Sequence, residues 1–169
     1  ILEVAAREKR PLIIVADNIE GQALAAMIMN AMRGTMKVAA IKAPRYGEER
    51  RSILNDLALS VGATFVSRQS GMRLQEAALE TLGNAKTVEA SKSNTTIVGG
   101  NADYKEIDDR ISTLKAEMSE TSDMRECEKI QERITRLSSG IAIINVGGAT
   151  EVEMIEKRHR IEDALSAVD

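Results

Sequence analysis

The stretch from Pro11 to Gly47, PLIIVADNIEGQALAAMIMNAMRGTMKVAAIKAPRYG, constrains this chain most. It opens with an apolar run, Leu12 to Val15, that reads as a buried strand. Asp17-Asn18 and Glu20-Gly21 follow as a helix entry, then an apolar helix through Met32 and a stop at Gly34. A second strand runs from Met36 to Ile41, and Pro44 breaks it. Strand, helix and strand within this length make a βαβ unit with an expected right-handed crossover. The helix breaks the usual pattern of one apolar stripe and one polar face. Ala23 to Met29 run without a charge, and four of the chain's eight methionines (Met27, Met29, Met32, Met36) fall in this window. Two readings follow: a helix buried on both sides within a larger protein, or a pliable outward surface, since methionine is over-used where many partners are bound.

In order along the chain, Ile1 to Glu8 reads as an amphipathic helix ended by Lys9-Arg10-Pro11. It has neither a cap nor a starting methionine, so the numbering is expected to begin inside a longer polypeptide. EERRSILNDLALSVGA reads as a helix on Ile53, Leu54, Leu57 and Val61, closed by Gly62. Glu48 to Arg51 place opposite signs side by side, which suits a solvated helix start better than an anion site. A short strand is expected over Thr64–Ser67 and a short helix over Leu74–Leu82. Lys86–Ala90 and Thr95–Val98 alternate like a hairpin around Ser91–Asn94.

Residues 102–137 change character. Asp103 and Glu106 have capping-box spacing. Ile107, Ile111, Leu114 and Met118, then Cys127, Ile130, Ile134 and Leu137, form two matched narrow seams joined by a polar turn. That pattern predicts an antiparallel αα-hairpin, with Cys127 as a packed thiol on the seam. Ile141–Val146 reads as a strand ended by Gly147-Gly148. Thr150 and Glu153 form a second capping box opening a last helix, on which His159 is a surface residue.

Composition narrows the function classes. The net charge of −3 argues against a nucleic-acid footprint, and 2% aromatics with no Trp remove stacking platforms for bases. One cysteine excludes an internal disulfide and fits a reducing compartment. No segment approaches a membrane span, and the start lacks a signal-peptide layout, so a cytoplasmic, organellar-matrix or virus-encoded protein is expected. No GxxxxGK[ST] or similar phosphate-cradling loop is present, and no metal-ligating cluster accompanies His159.

ADNIEGQALAAMIMNAMRG followed by KVAAIKAP resembles the substrate-binding segment of a group I chaperonin, the GroEL type. The resemblance continues through YGEERR, GMRLQEAALETLGNAK, EKIQERITRLSSG and VGGATEVEMIEKRHRIEDAL, and so covers essentially the whole chain. It implies an α/β fold: an apical domain over residues 1–140 with a mixed-sheet core, flanking helices and the αα-hairpin. A hinge strand and descending intermediate-domain helix over 141–169 would follow. The implied function is capture of non-native polypeptide on an apolar groove between two helices, shared with the mobile loop of a GroES-type co-chaperonin. By position the groove residues are Leu2, Leu24, Ile28 and Met29, with Glu3 and Arg33 at the rim. Glu151 matches an acid that pairs between sister subunits of a heptameric ring. Asp163, within RIEDAL, matches the aspartate that positions the water attacking ATP in the full-length subunit. There ATP with Mg²⁺ and K⁺ is the implied cofactor, with most of its pocket in an equatorial domain absent from this sequence. The chain alone is therefore expected not to hydrolyse ATP.

Departures from the family pattern are Gln22 for a glutamate, Met27 and Met29 for branched residues, and Arg45 for a glycine or small residue. Ser138-Ser139-Gly140 replaces a more glycine-rich hinge. Two other classes compete. A small-molecule α/β enzyme would gather polar groups at a strand's C-terminal end, where Asp17 and Asn18 lie. An assembly module would rest on the 102–137 hairpin. An exposed apolar helix over residues 22–33 discriminates, because only a capture surface has a use for it.

Overall fold

A computed structural model of the chain describes residues 2–34, 37–90 and 94–145. The fold combines helices with parallel and antiparallel strands. Helix α1 (Leu2–Arg7) precedes strand β1 (Leu12–Ala16), helix α2 (Gly21–Met32) and strand β2 (Val38–Lys42). β1 and β2 pair in parallel, Leu12 opposite Val38 through Ala16 opposite Lys42, so the expected βαβ unit is present. Helix α3 (Gly47–Val61) follows, then β3 (Thr87–Ala90) and β4 (Asn94–Val98). Helices α4 (Tyr104–Glu120) and α5 (Met124–Ser139) lead into β5 (Ile141–Asn145). β3, β4 and β5 form an antiparallel sheet in that order, separate from the parallel pair. Both pairing senses of the expected mixed core are thus present, carried by two sheets.

The strand period of two explains the layering. β2 is buried at Val38, Ala39, Ala40 and Ile41 because each of its faces meets a different core. Ala39 and Ile41, with Ile13 and Val15 of β1, join Val88, Ile97 and Ile144 of the antiparallel sheet and Leu57 and Val61 of α3. Val38 and Ala40, with Leu12 and Ile14, face Ala5 of α1 and Met27 of α2. The parallel pair is a wall between two apolar clusters. A continuous apolar run with no alternation is what a strand covered on both faces should show.

The hairpin forms a third cluster from the seam residues themselves: Ile107, Leu114, Ile130, Ile134 and Leu137 buried, Ile111 and Met118 partly so. Asp103 caps α4 by accepting from the Lys105 N–H at 2.9 Å, and Asp123 caps α5 by accepting from Arg125 at 2.9 Å. Each cap serves the second helical residue, so the spacing marked the helix start without forming the full reciprocal box. Cys127 is half-buried, with its thiol 3.5 Å from the Thr121 carbonyl and 3.7 Å from that of Met118, a packed thiol at the hairpin tip.

Two elements differ from expectation. Residues 64–67 form no strand; the Thr64 N–H bonds to the Thr81 carbonyl at 2.9 Å, without a ladder around it. Residues 74–82 form two one-turn 3-10 helices, Leu74–Glu76 and Leu79–Thr81, instead of one helix. Ala77 and Ala78 between them are extended, and the side chains of Glu76 and Thr81 accept from the Arg73 and Ala78 N–H groups. Side-chain acceptors that bond nearby backbone compete with continued helix. The expectations for the hinge beyond Asn145 and for the last helix, with Glu151, His159 and Asp163, lie outside the described residues.

Candidate functional site

α2 carries no charge from Gly21 to Met32, and three of its aspects behave differently. Met27 points into the second cluster and is 2% exposed, with Ala31 packed partly beside it. Leu24 and Ile28 are half-buried; with Met32 they recur every four residues along one flank of the helix. On the outer side Gln22, Ala25, Met29 and Met32 are exposed, Met29 at 50% and Met32 at 82%. The helix is thus anchored by one methionine and shows others to solvent among the described residues. Among the described residues α2 is buried on one side.

α1 lies over the same face of the parallel pair. Its Ala5 is buried in the cluster that holds Met27, and Leu2 packs partly against that cluster. Leu2, Leu24 and Ile28 are half-buried and Met29 is half-exposed, while Glu3 and Arg33 are exposed. Arg33 is the C-cap of α2, its N–H bonded to the Met29 carbonyl at 3.0 Å. Of the six expected residues, Leu2 packs on this cluster with Glu3 beside it on α1, while Leu24, Ile28 and Met29 lie on α2 and Arg33 at its C-terminal cap.

The polar groups at the C-terminal ends of the parallel strands are paired with neighbouring side chains. Asp17 pairs with Arg50 at 3.3 Å. Arg50 also donates to the carbonyls of Pro44 and Arg45, closing the turn between β2 and α3. Asn18 donates to Glu20 beside the α2 entry. No group of three His, Cys, Asp or Glu side chains suited to a metal ion occurs among the described residues.

Sequence reasoning missed one polar constellation. Asp56 of α3, nearly buried, accepts from Arg133 of α5 at 2.6 Å (Nε to Oδ2) and 3.0 Å (Nη2 to Oδ1), and from Arg110 of α4 at 2.9 Å. The hydrogen bond from Asp56 and its charge hold the Arg133 guanidinium above its ordinary value, against the opposing effect of partial burial. A signal was available. Asp56 interrupts the apolar stripe of Ile53 and Leu57, and Arg110 and Arg133 each sit one residue before a seam isoleucine. A charge on a buried stripe calls for a partner.

Residues 1–169 match the TCP-1/cpn60 chaperonin family. In three dimensions the chain is similar to the chaperonin gp146 from the bacteriophage EL 2 (Pseudomonas aeruginosa), crystallised in the presence of ATP-BeFx. The TM-score is 0.51 at 20% sequence identity, over 94% of this chain. The match covers 31% of the phage protein's chain, and at this identity it bears on the fold.

Proposed function

The chain belongs to the TCP-1/cpn60 chaperonin family, and from that premise we propose that the face built by α1 and α2 captures non-native polypeptides. Membership supports a chaperone role. The observation that carries the specific reading is the outer side of α2, where an uncharged helix anchored by Met27 leaves Met29 and Met32 in solvent. A soluble surface has no structural need for such a face, whereas a capture surface requires one. Unfolded chains expose apolar side chains of no fixed shape. Leu2, Leu24, Ile28 and Met29 can bury them at about 25 cal/mol per Å² without demanding a sequence, and methionine adapts its shape to each client. Glu3 and Arg33 at the rim keep the surface wet between clients and offer both signs of charge.

In the full-length protein the same groove is proposed to receive the mobile loop of a GroES-type co-chaperonin, which displaces the client. Residues 1–140 then act as the apical domain and 141–169 as the hinge and descending helix. Sister subunits assemble as a heptameric ring, with Glu151 at a subunit contact. ATP, with Mg²⁺ and K⁺, supplies the hydrolytic free energy for the cycle when bound to the full-length protein. Asp163 is assigned the orientation of the attacking water, a role a carboxylate suits only against bound phosphate and metal. Among the described residues no helix is long and apolar enough to cross a membrane. The cytoplasm of a bacterium, including one hosting a virus that encodes the protein, is the proposed location, with an organellar matrix as the other setting.

The test is binding of the chain to a chemically denatured, fluorescently labelled model protein, read by anisotropy. Leu24→Ser combined with Ile28→Ser should abolish binding while circular dichroism shows an intact fold. A folded double variant that binds like the parent overturns the assignment.

A further inference from the structure

The α4–α5 hairpin is unusual in how little holds it to the rest of the molecule. Its apolar seam comes almost wholly from its own two helices; among the described residues, Leu59 of α3 and Ala102 at its base are the partners from outside. At the base the backbones are in close contact. A Cβ on Gly100 would lie 2.1 Å from the Ser60 carbonyl oxygen, and one on Gly62 would lie 2.3 Å from that of Asn101. α5 then passes straight into β5 through Gly140, which has φ +68°. Between α3, α5 and β5 the packing leaves a small cavity of about 30 Å³, lined by Ile53, Leu57 and Leu137 with Asp56 and Arg133. Beside this cavity the Asp56 carboxylate ties the hairpin to α3, accepting from one arginine on each hairpin helix at 2.6–3.0 Å.

We propose that the hairpin is a pre-folded arm latched in one orientation by Asp56, so that loss of this single charge frees the arm to swing about its base without unfolding it. The bidentate geometry of Arg133 defines a direction as well as a distance. Arg110 adds a second tether from the other helix, so rotation about the first is blocked. The seam stays complete whether or not the latch is closed, because none of its buried residues belongs to α3.

The test uses the full chain with Cys127→Ser and spin labels placed at Asn55→Cys on α3 and Ser119→Cys near the hairpin tip, both exposed positions. Pulsed electron resonance reads the distance distribution between them, and hydrogen exchange reads the seam amides. Asp56→Asn should broaden the distribution while seam protection is retained. An unchanged distribution in the folded variant overturns the latch. So does loss of seam protection together with broadening, because the arm would then not be pre-folded. Should Asp56→Asn fail to fold, Arg110→Gln, which keeps the Arg133 pair, decides. A broadened distribution supports the latch, and an unchanged one overturns it.

Discussion

Arg45 occupies the left-handed region, with φ +59°, in the turn that Arg50 closes through the Arg45 carbonyl. A side chain there carries a steric cost of about 1–2 kcal/mol that glycine escapes. Its ion pair with Glu49, at 3.6 Å and well exposed, offsets little of that. Arg45→Gly should therefore raise the unfolding free energy by up to about 1 kcal/mol once the added freedom of the unfolded chain is subtracted. Urea titration checks the sign. Thr95 presents the opposite problem: it is 0% exposed, and its hydroxyl finds no hydrogen-bond partner among the described residues. Replacing it with the isosteric valine should be neutral or stabilising by about 1 kcal/mol, measured in the same titration. Arg133 behaves differently from both. Its raised pKa contributes stability that is fully present below the ordinary arginine value and is lost only as pH rises through the higher folded value. Deprotonation of Arg133 therefore gives no pH dependence in the neutral range.

At the scale of elements, α2 divides its methionines between two jobs. Met27→Ala should cost about 2–4 kcal/mol, because it opens a cavity between α2 and the parallel pair. Met29→Ala should leave stability within about 0.5 kcal/mol and weaken capture of denatured protein instead. Thermal melts and client binding, measured on both variants, separate the two roles. The wheel of α2 could not have made this division, because an uncharged run of Ala, Met and Ile offers no contrast between faces. The hairpin was legible because its seams repeat at helical spacing against charged neighbours, and seven of the eight expected seam residues join one cluster. β1 and β2 were legible as apolar runs between breakers. Residues 64–82 were not: one extended run has no ladder, and local caps at Glu76 and Thr81 split the other into single turns. Long-range partners decide such segments, and no local pattern records them. Asp56 belongs to the same class, with its two arginines 54 and 77 residues away.

Across the whole molecule, the parallel pair separates the core of the antiparallel sheet and α3 from the cluster under α1 and α2. The proposed capture face therefore stands on its own apolar base, away from the hairpin. Substitutions on its outer side should leave the core of the antiparallel sheet undisturbed. Surface exposure alone does not make a capture site, and the molecule supplies its own control. Tyr104, at the start of α4, is 83% exposed, more than Met29 at 50%. The most direct measurement is photo-crosslinking from a benzophenone amino acid placed at Met29 or, separately, at Tyr104, with a denatured client protein. Capture by α2 predicts strong adducts from position 29 and few from position 104. Equal yields from the two positions, or a preference for position 104, would contradict it.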